Sequence, residues 1–353
     1  MITPLIPFYT TALGGTGLAV GLISGLREGL SSLFKIFGGW FSDRLGKCMP
    51  FVFFGYLFSV ISRFFLALAN SWQLIVAFIS LERFGKLRDA PRDVIITQST
   101  KKRGKGFGIH QAMDTIGGIL GTLLVILFFW KLQLSIKTII FVAAGISAFS
   151  IIPLFFVKEK KTKKIKKNLL QGIKDLQPKL KYFVFVASVF TLGNFGLYLF
   201  LLLRIKELTG SIILPLVIYA AFNLVYAVFA VPFGALSDKI GRKKVLLAGY
   251  VLFFFVGLGL VFFESFAYVS ALFILYGLVF AITQANQKAF VSDLSGEMKG
   301  TALGFYSSVV GITNIFGGLI AGLLWDINYT TMFIYVSAVA LISVVLLFFV
   351  RKK

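Results

Sequence analysis

The stretch GGWFSDRLGK, residues 38–47, and its echo FGALSDKIGR, residues 233–242, decide how this chain is read. Gly39 aligns with Gly234, Ser42 with Ser237, Asp43 with Asp238 and Gly46 with Gly241, all at a shift of 195 residues. Beyond them Arg92 aligns with Lys288, Gly104 with Gly300, Gly108 with Gly304 and Gly121 with Gly317, at a shift of 196. A shift held over several segments marks an internal duplication, a bundle built twice. It divides the chain into a first bundle, residues 1–157, a basic linker, 158–181, and a second bundle, 182–353.

Each copy is too apolar for water. Of 353 residues 58% are hydrophobic and 14% charged, with a mean hydropathy of +0.90, whereas a soluble domain carries about 25% charged residues. A soluble fold of this size has too little interior to hide so much apolar surface. Eleven apolar spans run near Leu18–Gly39, Pro50–Ala69, Trp72–Ile96, Phe107–Trp130, Ile136–Val157, Tyr182–Leu203, Ile212–Leu236, Val245–Phe263, Phe266–Lys288, Ala302–Trp325 and Thr331–Val350. Each approaches the ~20 residues that cross a bilayer as a helix, and none alternates as a barrel strand would. An all-α polytopic membrane protein is expected. The single Cys48 excludes a disulfide framework and, with the single His110, a zinc site. The sequence offers no nucleophile–base set, metal cluster or phosphate loop, so neither an enzyme nor a cofactor is expected.

The cations give the orientation. One set of alternate loops holds Arg44 and Lys47, the Lys101–Lys105 group, the Lys158–Lys181 stretch, Lys239 with Arg242, Lys243 and Lys244, Lys299 and the Arg351–Lys353 tail. The other holds Lys131, Lys137, Arg204 and Lys206. The positive-inside rule places the first set, with the central loop and the C-terminus, on the cytoplasmic side of a cell membrane. The net charge of +22 is then topology and does not call for a nucleic-acid partner. After KEKKTKKIKK (residues 158–167), Ile165, Leu169, Ile173, Leu176 and Leu180 keep helical spacing. That pattern suits a helix on anionic lipid or a solvated linker.

The duplication also predicts a helix ahead of the first span. Shifted back by 195, Tyr182–Leu203 leaves only its end, Met1–Tyr9, in the first copy. The expectation is a twelve-helix protein whose first helix is incomplete, through a wrong start or a real truncation. Met1–Phe8 has no cationic n-region, so no signal peptide is read there.

The two loops resemble the signature loops of the major facilitator superfamily, between the second and third helices and between the eighth and ninth. The pattern is Gly, Asp four residues on, Gly, then one or two cations. The resemblance covers nearly the whole chain, and it implies two six-helix bundles and alternating access about a central cavity. It further implies that Gly39, Asp43, Arg44, Gly46 and Lys47, with Gly234, Asp238, Gly241 and Arg242, form a cytoplasmic gate. The first copy departs from the pattern: Lys47 stands for an arginine, and Cys48–Met49–Pro50 for further cations. Gly117-Gly118 with Gly121 is similar to the antiporter motif without its proline, and points toward efflux.

Ionisable groups at bilayer depth cost at least ~2.5–3.5 kcal/mol each, so they face protein or water. In the first copy Arg27, Glu28, Arg63, Glu82, Arg83, His110 and Asp114 are candidates for the cavity wall and for proton coupling. Glu28, Glu82 or Asp114 could carry a proton, or each could sit in a permanent pair with Arg27, Arg63 or Arg83. His110 reads first as a hydrogen-bonded interior histidine. The second copy offers amides and phenols instead: Asn194, Tyr198, Tyr219, Asn223, Tyr226 and Gln284 are its substrate-cavity candidates. Gly17, Gly21, Gly25 and Gly29 form a stripe of small residues that predicts a close helix contact. The function expected is secondary transport of a small organic solute by a proton-coupled monomer. The alternative is a transporter-like membrane sensor or lipid-interacting protein that no longer transports.

Overall fold

The computed structural model describes residues 1–99, 103–157, 159, 176–295 and 299–350, and within these the side chains of all but residues 43, 97–98, 103–109, 111–112 and 299–301. The basic stretch with Ile165, Leu169 and Ile173, and the side chain of Asp43, lie outside the described residues. The regular structure among those described is helical, without a strand. The helices are α1 (Ile6–Ala12), α2 (Gly17–Leu45), α3 (Met49–Ala67), α4 (Trp72–Phe84), α5 (Asp89–Ser99), α6 (Arg103–Trp130) and α7 (Ile136–Ala148). They continue as α8 (Pro178–Gly193), α9 (Tyr198–Thr209), α10 (Ile213–Ile240), α11 (Arg242–Phe262), α12 (Phe266–Leu294), α13 (Lys299–Ile327) and α14 (Tyr329–Phe348). Local chemistry sets their ends. Pro50 and Pro178 stand in the first turns of α3 and α8, where a missing N–H costs nothing. Ser71, Ser135 and Asn328 cap α4, α7 and α14 through side-chain oxygens.

Among the described residues nine helical segments are long and apolar enough to cross a membrane. Two of the eleven spans read from the sequence are not among them. Helix α2 carries Arg27, Glu28 and Lys35 in its interior, and the Trp72–Ile96 span is broken by a 3-10 turn at Gly85–Arg88. A second break falls inside Tyr182–Leu203, where α8 stops at Gly193 and α9 starts at Tyr198. Gly196 turns the chain there with φ +101°, a conformation that strains any residue with a Cβ.

The chain packs as two compact units, Met1–Gly15 with Leu26–Lys167, and Thr16–Gly25 with Asn168–Lys353. In the first unit α3 lies against α4, α7 and the 3-10 turn. Gly85 fits there because a Cβ would strike Ser59 Oγ and the Gly55 carbonyl. In the second unit α10 packs on α12, α11 on α12 and α14, and α8 on α13 and α14. The broken α8–α9 segment is its most deeply buried part. Its aromatic core stacks Phe190 on Tyr250 at 3.9 Å, with Phe253 at 5.1 Å from Phe190.

The small-residue stripe of α2 makes the close contact its spacing predicts, within the second unit. A Cβ on Gly21 would strike the Gly318 carbonyl, and one on Gly25 the Asn314 carbonyl and Ile315. The residues of α2 up to Gly25 thus pack against α13, while those from Leu26 onward belong to the first unit.

Candidate functional site

In the first unit the ionisable residues of three helices, α2, α3 and α4, meet in one chain of contacts. Arg63, on α3, donates to Glu82 Oε1 from Nε at 3.1 Å and from Nη2 at 2.9 Å. Arg83 Nη2 donates to Glu82 Oε2 at 2.6 Å, and Arg83 Nη1 to Ser31 Oγ at 3.3 Å. The Ser31 hydroxyl donates in turn to the Arg27 carbonyl, and Arg27 Nη2 reaches Thr3 Oγ1 at 2.9 Å. Arg27 and Arg83 are buried, at 7% and 8% exposure. Of the two readings open for Glu82, the structure shows the ion pair, with both oxygens engaged.

The other first-copy candidates stand apart from this chain of contacts. Glu28 is exposed on α2. His110 Nε2 lies 3.5 Å from Asp114 Oδ2 one turn on, with Asp114 largely exposed beside Met113 and Ile116. The Asp114 carboxylate is open within its unit, its side chain 61% exposed. Asp89, buried at 5% exposure, gathers Lys35 at 3.4 Å, Lys86 at 3.5 Å, Arg92 at 3.7 Å and Arg88 at 3.9 Å. Lys86 and Arg88 reach Asp89 from the 3-10 turn at Gly85–Arg88, and Lys35 reaches it from α2.

The two signature loops are built alike at the turn and differently around it. Gly46 and Gly241 both carry positive φ, 68° and 99°, at the ends of α2 and α10. Ser42 Oγ donates to the Gly39 carbonyl at 2.9 Å, and Ser237 Oγ to the Gly234 carbonyl at 2.7 Å. In the second copy Arg242 joins Asp238 at 2.9 Å and Asp293, on α12, at 2.5 Å. Asp293 is a partner the sequence reading missed; its position near the end of a span beside the basic loop was the available signal. In the first copy Arg44 lies over Trp40 at 5.3 Å and Lys47 is exposed. The two glycines at the start of the motif differ in the room around them. A Cβ on Gly234 meets nothing within 4 Å, and one on Gly39 meets Ala90 Cβ at 3.3 Å. Gly38 is the tight position, facing the Leu87 backbone.

In the second unit an aromatic group forms around the α8–α9 break. Tyr276 OH donates to Asn194 Oδ1. Phe222 lies 5.6 Å from Tyr276, 5.9 Å from Tyr219 and 5.3 Å from Phe280, and Tyr198 lies 6.0 Å from Tyr219. Tyr226 joins through Phe280 at 6.1 Å. Four candidates, Asn194, Tyr198, Tyr219 and Tyr226, are thus brought together, while Asn223 bonds the Tyr219 carbonyl of its own helix and Gln284 stays half-buried outside the group. Phe222, Tyr276 and Phe280 were missed because a ring in an apolar span reads as lipid-facing. The break is bridged by Ser24, whose hydroxyl donates to the Phe195 carbonyl at 2.7 Å, as backbone freed at membrane depth requires.

A duplicated set of membrane-spanning helices, with ionisable contacts within its first copy, defines a polytopic membrane protein. The Major Facilitator Superfamily profile matches residues 1–217 and again 183–353. An uncharacterized MFS-type transporter of Methanocaldococcus jannaschii is 46% identical, over 99% of this chain and 90% of that protein. The multidrug resistance protein MdtH of Baumannia cicadellinicola is 29% identical, over 65% of this chain and 55% of that protein. A crystal structure of a mutant nucleoside transporter NupG has a TM-score of 0.83 at 13% identity, over 99% of this chain and 95% of that one. At that identity the likeness is one of fold. The chain belongs to the Major Facilitator Superfamily.

Proposed function

We propose that this protein is a secondary transporter of the cell membrane that moves a small organic solute by alternating access, as a proton-coupled monomer. The observation that carries the reading is the Arg63–Glu82–Arg83–Ser31 chain of contacts, held inside apolar helices. Ionisable groups within membrane helices are costly even when paired, and they commonly mark solute and ion pathways. Glu82 already has two guanidinium partners, so proton carriage is assigned to Asp114, one turn from His110, and to Glu28. Asn194, Tyr198, Tyr219 and Tyr226 form the neutral part of the solute site. The signature loops, with Asp238, Arg242 and Asp293 in the second copy, serve as a cytoplasmic gate. The central basic segment and the C-terminus are assigned to the cytoplasm by their cations. Efflux is the direction proposed, supported by the partial likeness to a multidrug resistance protein.

Solute counterflow in proteoliposomes tests this. Vesicles preloaded with one member of a panel of drugs, sugars, carboxylates and amino acids should accumulate the labelled form of the transported member. Counterflow of none across the panel, with folded protein verified in the same vesicles, contradicts the reading.

A further inference from the structure

The contacts around Glu82 do not balance in charge. Arg63 and Arg83 share the single Glu82 carboxylate, and neither has another carboxylate partner among the described residues. Arg27 adds a third guanidinium within electrostatic reach of Glu82. Arginine cannot shed its proton inside a protein, so the excess cannot be relieved by titration. The Arg83 side chain is 10% exposed and its Nε has no hydrogen-bond partner. Among the described residues its Nη1 is met by the neutral Ser31 hydroxyl.

The fold does not demand these charges. At shifts of 195 to 196 the second copy places Phe222 where the first has Arg27, Leu258 or Gly259 for Arg63, and Leu278 and Val279 for Glu82 and Arg83. That copy packs the equivalent region with rings and aliphatic side chains, Phe222 lying 5.3 Å from Phe273. A cluster that the architecture can do without, and that carries surplus positive charge in a largely buried setting, fits an anion it receives from outside. Guanidinium forks match the paired oxygens of a carboxylate or phosphate.

We propose that Arg83 and Arg63, with Ser31 and Arg27, bind the oxyanion group, carboxylate or phosphate ester, of the transported solute. This rests on the transport reading above. Glu82 acts as a resident counter-ion: the incoming oxyanion displaces it from one guanidinium, exchanging one carboxylate-like partner for another without rehydrating the arginine.

The test uses the full chain in nanodiscs of zwitterionic lipid, with three anions and their uncharged counterparts as probes: benzoate and benzamide, citrate and triethyl citrate, adenosine monophosphate and adenosine. Thermal stabilisation on addition of probe is read first, and counterflow of the same probes second. At least one anion should stabilise the wild type while its neutral counterpart does not. Arg83→Gln and Arg63→Gln should weaken that binding about tenfold or more, and Arg83→Lys should fail to restore it fully. Glu82→Gln, less stable than the wild type before probe is added, should gain more from the anion, the opposite sign to a purely structural loss, and Arg83→Lys, which keeps the charge, covers the case in which an arginine-to-glutamine variant does not fold. Equal stabilisation by anions and neutral counterparts, or by no anion, overturns the proposal. So does stabilisation that appears only when anionic phospholipid is added, which assigns the oxyanion to a lipid head group. Anion binding without counterflow removes the transport reading and leaves the site. Counterflow of a neutral probe, unchanged in Arg83→Gln, removes the site and leaves transport.

Discussion

The carboxylate of Asp326 closes the first turn of the helix that begins at Gly17, accepting the Gly17 N–H at 2.6 Å and the Leu18 N–H at 2.9 Å. The two residues are 309 positions apart, and both belong to the second unit. A carboxylate there satisfies orphan donors and opposes the positive end of the helix dipole. Asp326→Ala should lower stability by about 1 kcal/mol, seen as a reduced melting temperature in detergent, with Asp326→Asn losing less.

The glycines behind that cap set how closely α2 and α13 approach. Gly21→Val should cost ~1–3 kcal/mol by overpacking against the Gly318 carbonyl. Gly117→Ala, at a helix position where a Cβ meets nothing within 4 Å, should instead gain ~0.5–1 kcal/mol from helix propensity. Parallel thermal unfolding of both variants checks the contrast in sign.

Glu82→Gln leaves Arg63 and Arg83 without their shared counter-ion. Breaking a buried pair from one side typically costs ~3–5 kcal/mol, so the variant should unfold at a markedly lower temperature than Glu28→Gln, whose carboxylate is exposed. Similar melting temperatures for the two variants would contradict the placement of Glu82.

The Arg242–Asp293 pair is half-open to solvent, with side-chain exposures of 23% and 53%. Such pairs contribute ~0–1 kcal/mol. Asp293→Asn should therefore leave the melting temperature nearly unchanged while altering the transport rate, and high salt should have the same effect on the wild type. A stability loss equal to that of Glu82→Gln would show a structural role instead.

Much of this was legible in the sequence because the duplication and the hydropathy are long-range signals. The repeat at 195 residues predicts that Gly46 and Gly241 turn alike, and both do, with positive φ. The spacing Gly17, Gly21, Gly25 predicts a tight helix contact, and α13 supplies it. What was hidden depends on pairs distant in sequence. Asp326 and Asp293 are unremarkable until α2 and α10 arrive beside them. The break at Asn194–Leu197 lies in a run apolar enough to be continuous, and only Gly196 marks it. Ion-pair choice was equally out of reach: helical spacing put Glu82 near several cations, and the fold pairs it with its neighbour Arg83 and, through contact with α3, with Arg63. The same positions can also be filled in two ways. Arg27 holds Thr3 at 2.9 Å in the first unit, and their repeat equivalents Phe222 and Tyr198 stack at 6.4 Å in the second.

The most direct test of proton-coupled transport is solute-dependent proton movement, followed with a trapped pH indicator in proteoliposomes, for wild type, Glu28→Gln and Asp114→Asn. The account predicts a pH change on addition of the transported solute that is lost in at least one of the two variants. Solute counterflow with no pH change in the wild type would contradict it.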